Sequence, residues 1–269
     1  MDESRLAQVG AWDVPNASAA VVDAGGVVAL HGDPDRTFAL ASVTKLVFAV
    51  AVLVAHEERS LLLDSPAGPP GSTVRHLLAH ASGLPFEGSS PLGPPGTKRV
   101  YSNRGYEVLG EALAAATAMT VAEYVRDAVT APLGMSRTSL HGSPAHAATS
   151  SVADLAALAK ELLAPTTILA PATVDAARSV QFPGLRGIVP GFGMQGSNDW
   201  GLGPEIRDAK SPHWTGSRNS PETFGHFGQA GTFVWIDPVA GVGLVCLTDR
   251  DFDQWAKDAW PRLSDAVLS

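Results

Sequence analysis

The sequence predicts an α/β (α+β) fold in which an antiparallel sheet is assembled from both chain termini, flanked by helices, with a helical segment inserted between. Three observations carry this. Near the N-terminus, apolar runs at 19–22 and 27–30 bracket Asp23-Ala24-Gly25-Gly26 and read as a β-hairpin. Near the C-terminus, strand patterns at 232–236 and 242–248 are joined by Asp237-Pro238-Val239-Ala240-Gly241. Between the two pairs the text is helical patterns broken by Pro/Gly-rich loops. The 269 residues are expected to form a single domain in two lobes, an α/β lobe of 1–60 plus 186–269 and a helical lobe of 61–185, with the active site between them.

The elements follow in order. After the first hairpin, residues 46–55 (LVFAVAVLVA) are apolar on every side, so a helix entered near Ser42 is expected to be buried. Segments 64–72 and 88–97 are rich in Pro and Gly and read as loops. Residues 73–80 form a short helix capped by Thr73 or Ser72. Further helices are predicted at 104–117, 121–130, 152–163 and 171–180, the second behind Thr120 and the third behind Ser150-Ser151 as caps. From 182 to 221 the chain reads as irregular. The last segment, 252–268, is a terminal helix. There is no internal repeat.

Composition narrows the function. Hydrophobic residues make up 45% and charged residues 17%, as in a globular domain. The net charge is −8 and there is no basic stripe, which sets nucleic acid aside as a partner. The single cysteine, Cys246, excludes an internal disulfide framework and a cysteine-rich zinc site, and it reads as a buried strand residue. The N-terminus lacks a basic region leading into an apolar stretch, and the longest apolar run has ten residues, too short to span a bilayer. A soluble, cytoplasmic protein is expected, with no membrane and no required protein partner.

Chemistry enters at Ser42-Val43-Thr44-Lys45. On a helix, Ser42 and Lys45 stand one turn apart on the same face, an amine beside a hydroxyl. A serine hydroxyl needs a base, and a buried lysine can serve because low dielectric lowers its pKa. The Ser42 N–H would lie among the unpaired donors of the helix start, free to point at an oxyanion. The pattern is short and permissive, and the plain alternative is an N-cap serine followed by an exposed lysine.

Two further groups stand beside it. Tyr101-Ser102-Asn103 sits between a Pro/Gly loop and a helix. A lysine near Tyr101 would favour phenolate and the phenolate would favour ammonium, so the two would titrate as a pair. Asn103 offers a donor and an acceptor to a substrate amide. The plain alternative is a polar helix entry with a packed tyrosine. His226-Phe227-Gly228-Gln229 precedes the 232–236 strand. Gly228 would let substrate approach the backbone, the Gln229 N–H would be a second oxyanion donor, and His226 would bond substrate or support Lys45 and Tyr101.

In order and spacing these pieces resemble the serine β-lactamase and penicillin-binding-protein superfamily, above all the class C β-lactamases and the esterases and peptidases related to them. The surrounding text is similar too: residues 73–85 (TVRHLLAHASGLP), Pro95-Gly96-Thr97 through Leu109-Gly110, Pro132-Leu133-Gly134-Met135, and residues 225–238. The likeness runs from about residue 19 to 250. It implies a β-lactamase/transpeptidase-like fold and a serine hydrolase working through an acyl-enzyme. In it Ser42 is the nucleophile, Lys45 and Tyr101 the proton-transfer pair, Asn103 the substrate-orienting residue, Ser42 and Gln229 the oxyanion hole, and His226 the head of the third motif. No cofactor or metal is implied. The substrate would be a small-molecule ester, amide or β-lactam.

The sequence also departs from the family. His226-Phe227-Gly228 stands where Lys-Thr-Gly or His-Thr-Gly is common, and Asp249 where Asn is common; both are expected to disfavour anionic β-lactams, Asp249 if it faces the site. An esterase or amidase is therefore favoured. The alternatives are an efficient β-lactamase, a D-Ala-type carboxypeptidase, or a catalytically silent relative that binds a ligand. Other patterns carry less. Gly191-Phe192-Gly193-Met194-Gln195-Gly196 lacks the strand–helix context of a dinucleotide site and reads as a loop. His76 and His80 share a helix face but lack a third metal ligand. Trp200, Trp214 and Phe224 are expected to pack in the core or to line an apolar acyl pocket.

Overall fold

The computed structural model describes residues 3–269. After a 3₁₀ segment, Glu3–Ala11, come β1 (Ala17–Asp23), β2 (Gly26–His31), β3 (Phe38–Ala39), a 3₁₀ turn Ala41–Val43 and α1 (Thr44–Glu57). The middle of the chain holds α2 (Val74–Leu78), α3 (Asn103–Thr117), α4 (Val121–Val125), β4 (Ser139–Leu140), β5 (Ala148–Ser150), α5 (Val152–Leu163) and α6 (Pro171–Ala177). The remainder holds β6 (Gly187–Val189), β7 (Gly193–Gln195), β8 (Glu205–Ile206), β9 (Phe224–Gly228), β10 (Thr232–Asp237), β11 (Val242–Thr248) and α7 (Gln254–Val267).

The central sheet has the order β2-β1-β11-β10-β9-β8, and the two chain ends meet in it where Ala17 pairs with Thr248 and Val21 with Leu244. All its pairings are antiparallel, as expected of a sheet built from both termini. Side chains alternate between its faces. Ala20, Val22, Val234, Ile236, Val245 and Leu247 face a core shared with α1 and α5. Ala19, Val21, Phe233, Trp235, Leu244 and Cys246 face a second core shared with α7 and the N-terminal segment. Cys246 is buried, and burial pushes its thiol up. The sheet is thus covered on both faces, and α5, within residues 61–185, packs on β1, β10 and β11.

α1 is buried from Thr44 through Ala55, as its all-round apolar text requires. Thr73 caps α2 through a reciprocal capping box with His76. α2 stops before residue 80, where His80 turns to a positive φ of 54°. The predicted helix 121–130 divides, with α4 running into a π-helical turn, Arg126–Thr130. α6 ends three residues short of 180 because the Leu202 N–H takes the Ala177 carbonyl. The stretch expected to be irregular holds the β6–β7 hairpin and β8; strands of two or three residues leave no periodicity to read. Gly191 to Gly196 is the turn and second strand of that hairpin. Among the described residues no single helix is long and apolar enough to cross a membrane.

Candidate active site

Ser42 lies in the 3₁₀ turn that feeds α1, not inside the α-helix. Ala41 before it holds φ at +45°, a conformation an L-residue adopts at a cost of roughly 1–3 kcal/mol. The turn is fixed from outside: Thr232 Oγ1 donates to the Leu40 carbonyl at 2.9 Å, and the Leu40 N–H donates to the Ala148 carbonyl at 2.9 Å. Gly228 completes the clamp. A Cβ there would stand 2.3 Å from the Leu40 oxygen and 3.1 Å from the Ser42 nitrogen. The close approach that needs this glycine is therefore made by the backbone leading to Ser42, not by a substrate.

Lys45 is wholly buried one turn on. Its Nζ lies 2.7 Å from Asn103 Oδ1, 2.8 Å from the Ala145 carbonyl and 3.3 Å from Ser42 Oγ. Burial lowers its pKa to about 7, against an opposing pull from Glu107. The neutral amine has two N–H donors and one lone pair. Asn103 Oδ1 and the Ala145 carbonyl can only accept, so they take the two donors. The lone pair is left for the Ser42 hydroxyl, the one neighbour of the three that can donate.

Tyr101 stands on the other side of the hydroxyl. Burial pushes its phenol up, and a hydrogen bond with the Ser42 side chain opposes this only in part. Lys45 Nζ does not reach the phenol oxygen but lies over the ring, 4.7 Å from its centroid. The expected lysine–phenolate exchange is thus not the resting arrangement: Tyr101 keeps its proton at neutral pH, and Ser42 is the group between the two. Ser102 has a structural part, capping α3 by accepting from the Gly105 N–H at 2.7 Å while donating to the Pro85 carbonyl at 2.6 Å. Asn103 presents Oδ1 to Lys45, which leaves its amide N–H₂ as the polar end not committed to the lysine.

His226, buried on β9, lines the same cavity as Ser42, Tyr101 and Gln229, a space of about 160 Å³. Its Nδ1 donates to the Phe227 carbonyl at 2.7 Å, because a carbonyl can only accept. Burial, then the charge of Lys45, holds the ring's pKa down at about 3, so the imidazole is neutral. Nε2 is therefore a bare acceptor, and it is buried without a hydrogen-bond partner. Gln229 is anchored beside it, Nε2 donating to the Phe252 carbonyl at 3.0 Å and its own carbonyl accepting from the Phe252 N–H at 2.7 Å.

Several readings of single residues change here. Phe227 does not fill the cleft: its ring packs among Phe192, Trp214, Phe252 and Trp260, and the residue forms part of the cavity wall. Asp249 does not face the site; it is exposed and accepts from the Asn16 backbone N–H and side-chain amide. Trp200 lines the cavity, whereas Trp214 and Phe224 belong to the two cores. His76 is engaged in its capping box and stacked on Phe182. His80 is buried against Tyr101, Tyr106 and Trp200, accepting the Ser102 N–H at Nδ1.

One wall residue has no signal in the sequence. Glu205, on the two-residue β8, lines the cavity. Burial alone would push its carboxyl up. Lys210 and His213, with a hydrogen bond from Trp214 Nε1 at 2.8 Å, outweigh that and hold it at about 2. It sits in the Gly- and Pro-rich stretch whose strands are too short to recognise, so only the fold brings it to Ser42.

A profile of the β-lactamase family matches residues 5–268. The chain belongs to the β-lactamase family. Its fold is that of the β-lactamase and penicillin-binding-protein serine hydrolases. It is similar to a β-lactamase from Mycobacterium bovis, whose crystal structure shares 54% identity over 98% of each chain at a TM-score of 0.97. It is 28% identical over 137 residues to penicillin-binding protein 4* of Bacillus subtilis (strain 168), a match covering 39% of this chain and 30% of that protein's length. Simvastatin synthase from Aspergillus terreus, at 17% identity, covers 100% of this chain and 98% of its own with a TM-score of 0.83, a likeness of fold alone.

Proposed function

We propose that the protein hydrolyses uncharged esters or amides through an acyl-enzyme on Ser42. The observation that carries this reading is the Lys45 amine, buried, lowered to about 7 and left with its lone pair toward the Ser42 hydroxyl 3.3 Å away. Lys45 takes the Ser42 proton as Oγ attacks the substrate carbonyl carbon. The negative charge moves to the carbonyl oxygen, toward the backbone N–H groups of Ser42 and Gln229. As the tetrahedral adduct collapses, the Lys45 ammonium returns the proton to the leaving group, while the Tyr101 phenol holds that group by a hydrogen bond. Water then attacks the acyl ester by the same route, with Lys45 as its base, and releases the acid and free Ser42.

The preference for uncharged substrates rests on His226. A neutral imidazole offering a bare acceptor, with the Glu205 carboxylate in the same wall, has no charge for an anionic substrate group and favours one that donates a hydrogen bond. A second reading, an efficient β-lactamase, is favoured by the 54% identical M. bovis relative described as a β-lactamase. The test is a pair of initial-rate series, on p-nitrophenyl acetate and on a chromogenic cephalosporin, with wild type and Ser42→Ala. Ester turnover that vanishes in Ser42→Ala, with little cephalosporin turnover, is the expected result. Fast Ser42-dependent cephalosporin turnover would replace the first reading by the second. No Ser42-dependent rate on either would point to a ligand-binding relative.

A further inference from the structure

We infer that the open groove beside the Ser42 cavity binds an extended hydrocarbon chain of the substrate, so that the preferred esters carry a long chain and not a short one. This rests on the acyl-enzyme reading above and names its substrate class. The groove, about 810 Å³, runs from the cavity mouth between the 86–101 loop and the β6–β7 hairpin. It is continuous with the cavity because both are walled by Phe86, Tyr101 and Pro190. The cavity itself has room for about five water-sized groups at roughly 30 Å³ each, so a longer chain must leave it along this groove.

The groove is apolar where a surface has no folding reason to be so. Among the described residues eight large hydrophobics are exposed, and four of them line it: Phe86 at 49%, Leu92 at 56%, Ile188 at 55% and Met194 at 60%. Single exposed apolar residues need no explanation, but half of them gathered at one cleft mark a binding surface. The hairpin makes the point sharply. Ile188 and Met194 are directly paired across β6 and β7, while Val189 and Gln195 beside them are buried. A hairpin with one solvated face ordinarily turns polar side chains outward; this one turns out an apolar pair. Of the charged lining, Arg99 is buried and Lys98 and Arg186 are exposed, and the stems of the two exposed side chains add further methylenes to the wall.

The groove is also held open before any ligand arrives. Arg99 ties its two walls together: its backbone N–H donates to the Arg186 carbonyl at 2.9 Å, and its buried guanidinium donates to the carbonyls of Ala79, Asn198 and Gln181 at 2.6–2.9 Å. A preformed apolar wall costs little ordering on binding.

The chain can belong to the acyl group or to the alcohol, and two substrate series separate them. The first is p-nitrophenyl esters from acetate to decanoate; the second is acetate esters of alcohols from ethanol to decanol. Full burial of a methylene is worth about fourfold, and in a half-open groove about twofold is expected, so kcat/KM should rise by some tens of fold from two to eight carbons in one series. In Ile188→Ser/Met194→Ser the rise should flatten while p-nitrophenyl acetate turnover stays at the wild-type rate. Flat profiles in both series, or a rise that survives in the double variant, would overturn the inference. If no ester shows Ser42-dependent turnover, the acyl-enzyme reading has failed, and the groove is then read by titration with a fluorescent fatty acid. Binding by wild type that is lost in the double variant supports the groove, and absence of binding sinks it.

Discussion

His226 and Phe227 are neighbours on β9 and face opposite sides of the central sheet. On the His226 side lie the Ser42 turn, buried Lys45, and a cavity with a buried acceptor that no protein group satisfies. On the Phe227 side lies an aromatic cluster of Phe192, Trp214, Phe233, Phe252 and Trp260, with ring centroids mostly 5–6 Å apart. One face keeps a buried amine, a positive φ at Ala41 and an unpaired imidazole nitrogen, each of which costs stability. The other closes its volume with rings and so contributes the packing that tolerates those costs. The difference teaches that the candidate site and the packing that supports it are separated here by the parity of a strand position.

The comparison is tested most strongly on the polar face. Ser42→Ala and Lys45→Ala should each lower ester turnover by about a thousandfold or more, because in the proposed mechanism nucleophile and base act as a unit, and the double variant should be little worse than either. Initial rates on p-nitrophenyl acetate read this, and near-additive losses would mean the two do not share one step. On the apolar face Phe233→Ala should cost about 3–5 kcal/mol in urea unfolding, with the rate per folded molecule unchanged. A fall in that rate would show that the cluster shapes the site as well.

A smaller effect is expected from pH. With the Lys45 amine at about 7 and its neutral form the proposed base, kcat/KM should fall about tenfold per unit below pH 7 and level off above it. A bell centred well below 7 would assign the base to another group. The least effect belongs to Asp249→Asn, since the side chain is exposed and turned to Asn16. Its preference between neutral and anionic substrates should match wild type, and a gain for anions would return that residue to the site.

Much of this was legible in the residues. The hairpins at both ends, the all-round apolar α1 and the capped helix α5 follow from local periodicity and capping, and they stand where those signals put them. Ser42, Lys45, Tyr101, Asn103, His226 and Gln229, read from three separate motifs, converge on one cavity and its floor. Glu205 and the Ile188–Met194 wall left no trace, because strands of two and three residues in a Gly- and Pro-rich stretch are defined by their partners and not by their own pattern.

The sequence by itself determined the element types, the order in which they occur and the chemical groups available, since propensity, period and side-chain chemistry are local properties. Only the tertiary structure decided which way those groups act. It turned Phe227 into the core and Asp249 away from the cleft. It placed Gly228 against the Ser42 turn instead of a substrate. By removing Lys45 and His226 from water it set one amine near neutrality and one imidazole uncharged. Those outcomes depend on distances between residues far apart in the chain and on exclusion of solvent, and neither exists until the sheet has closed around α1.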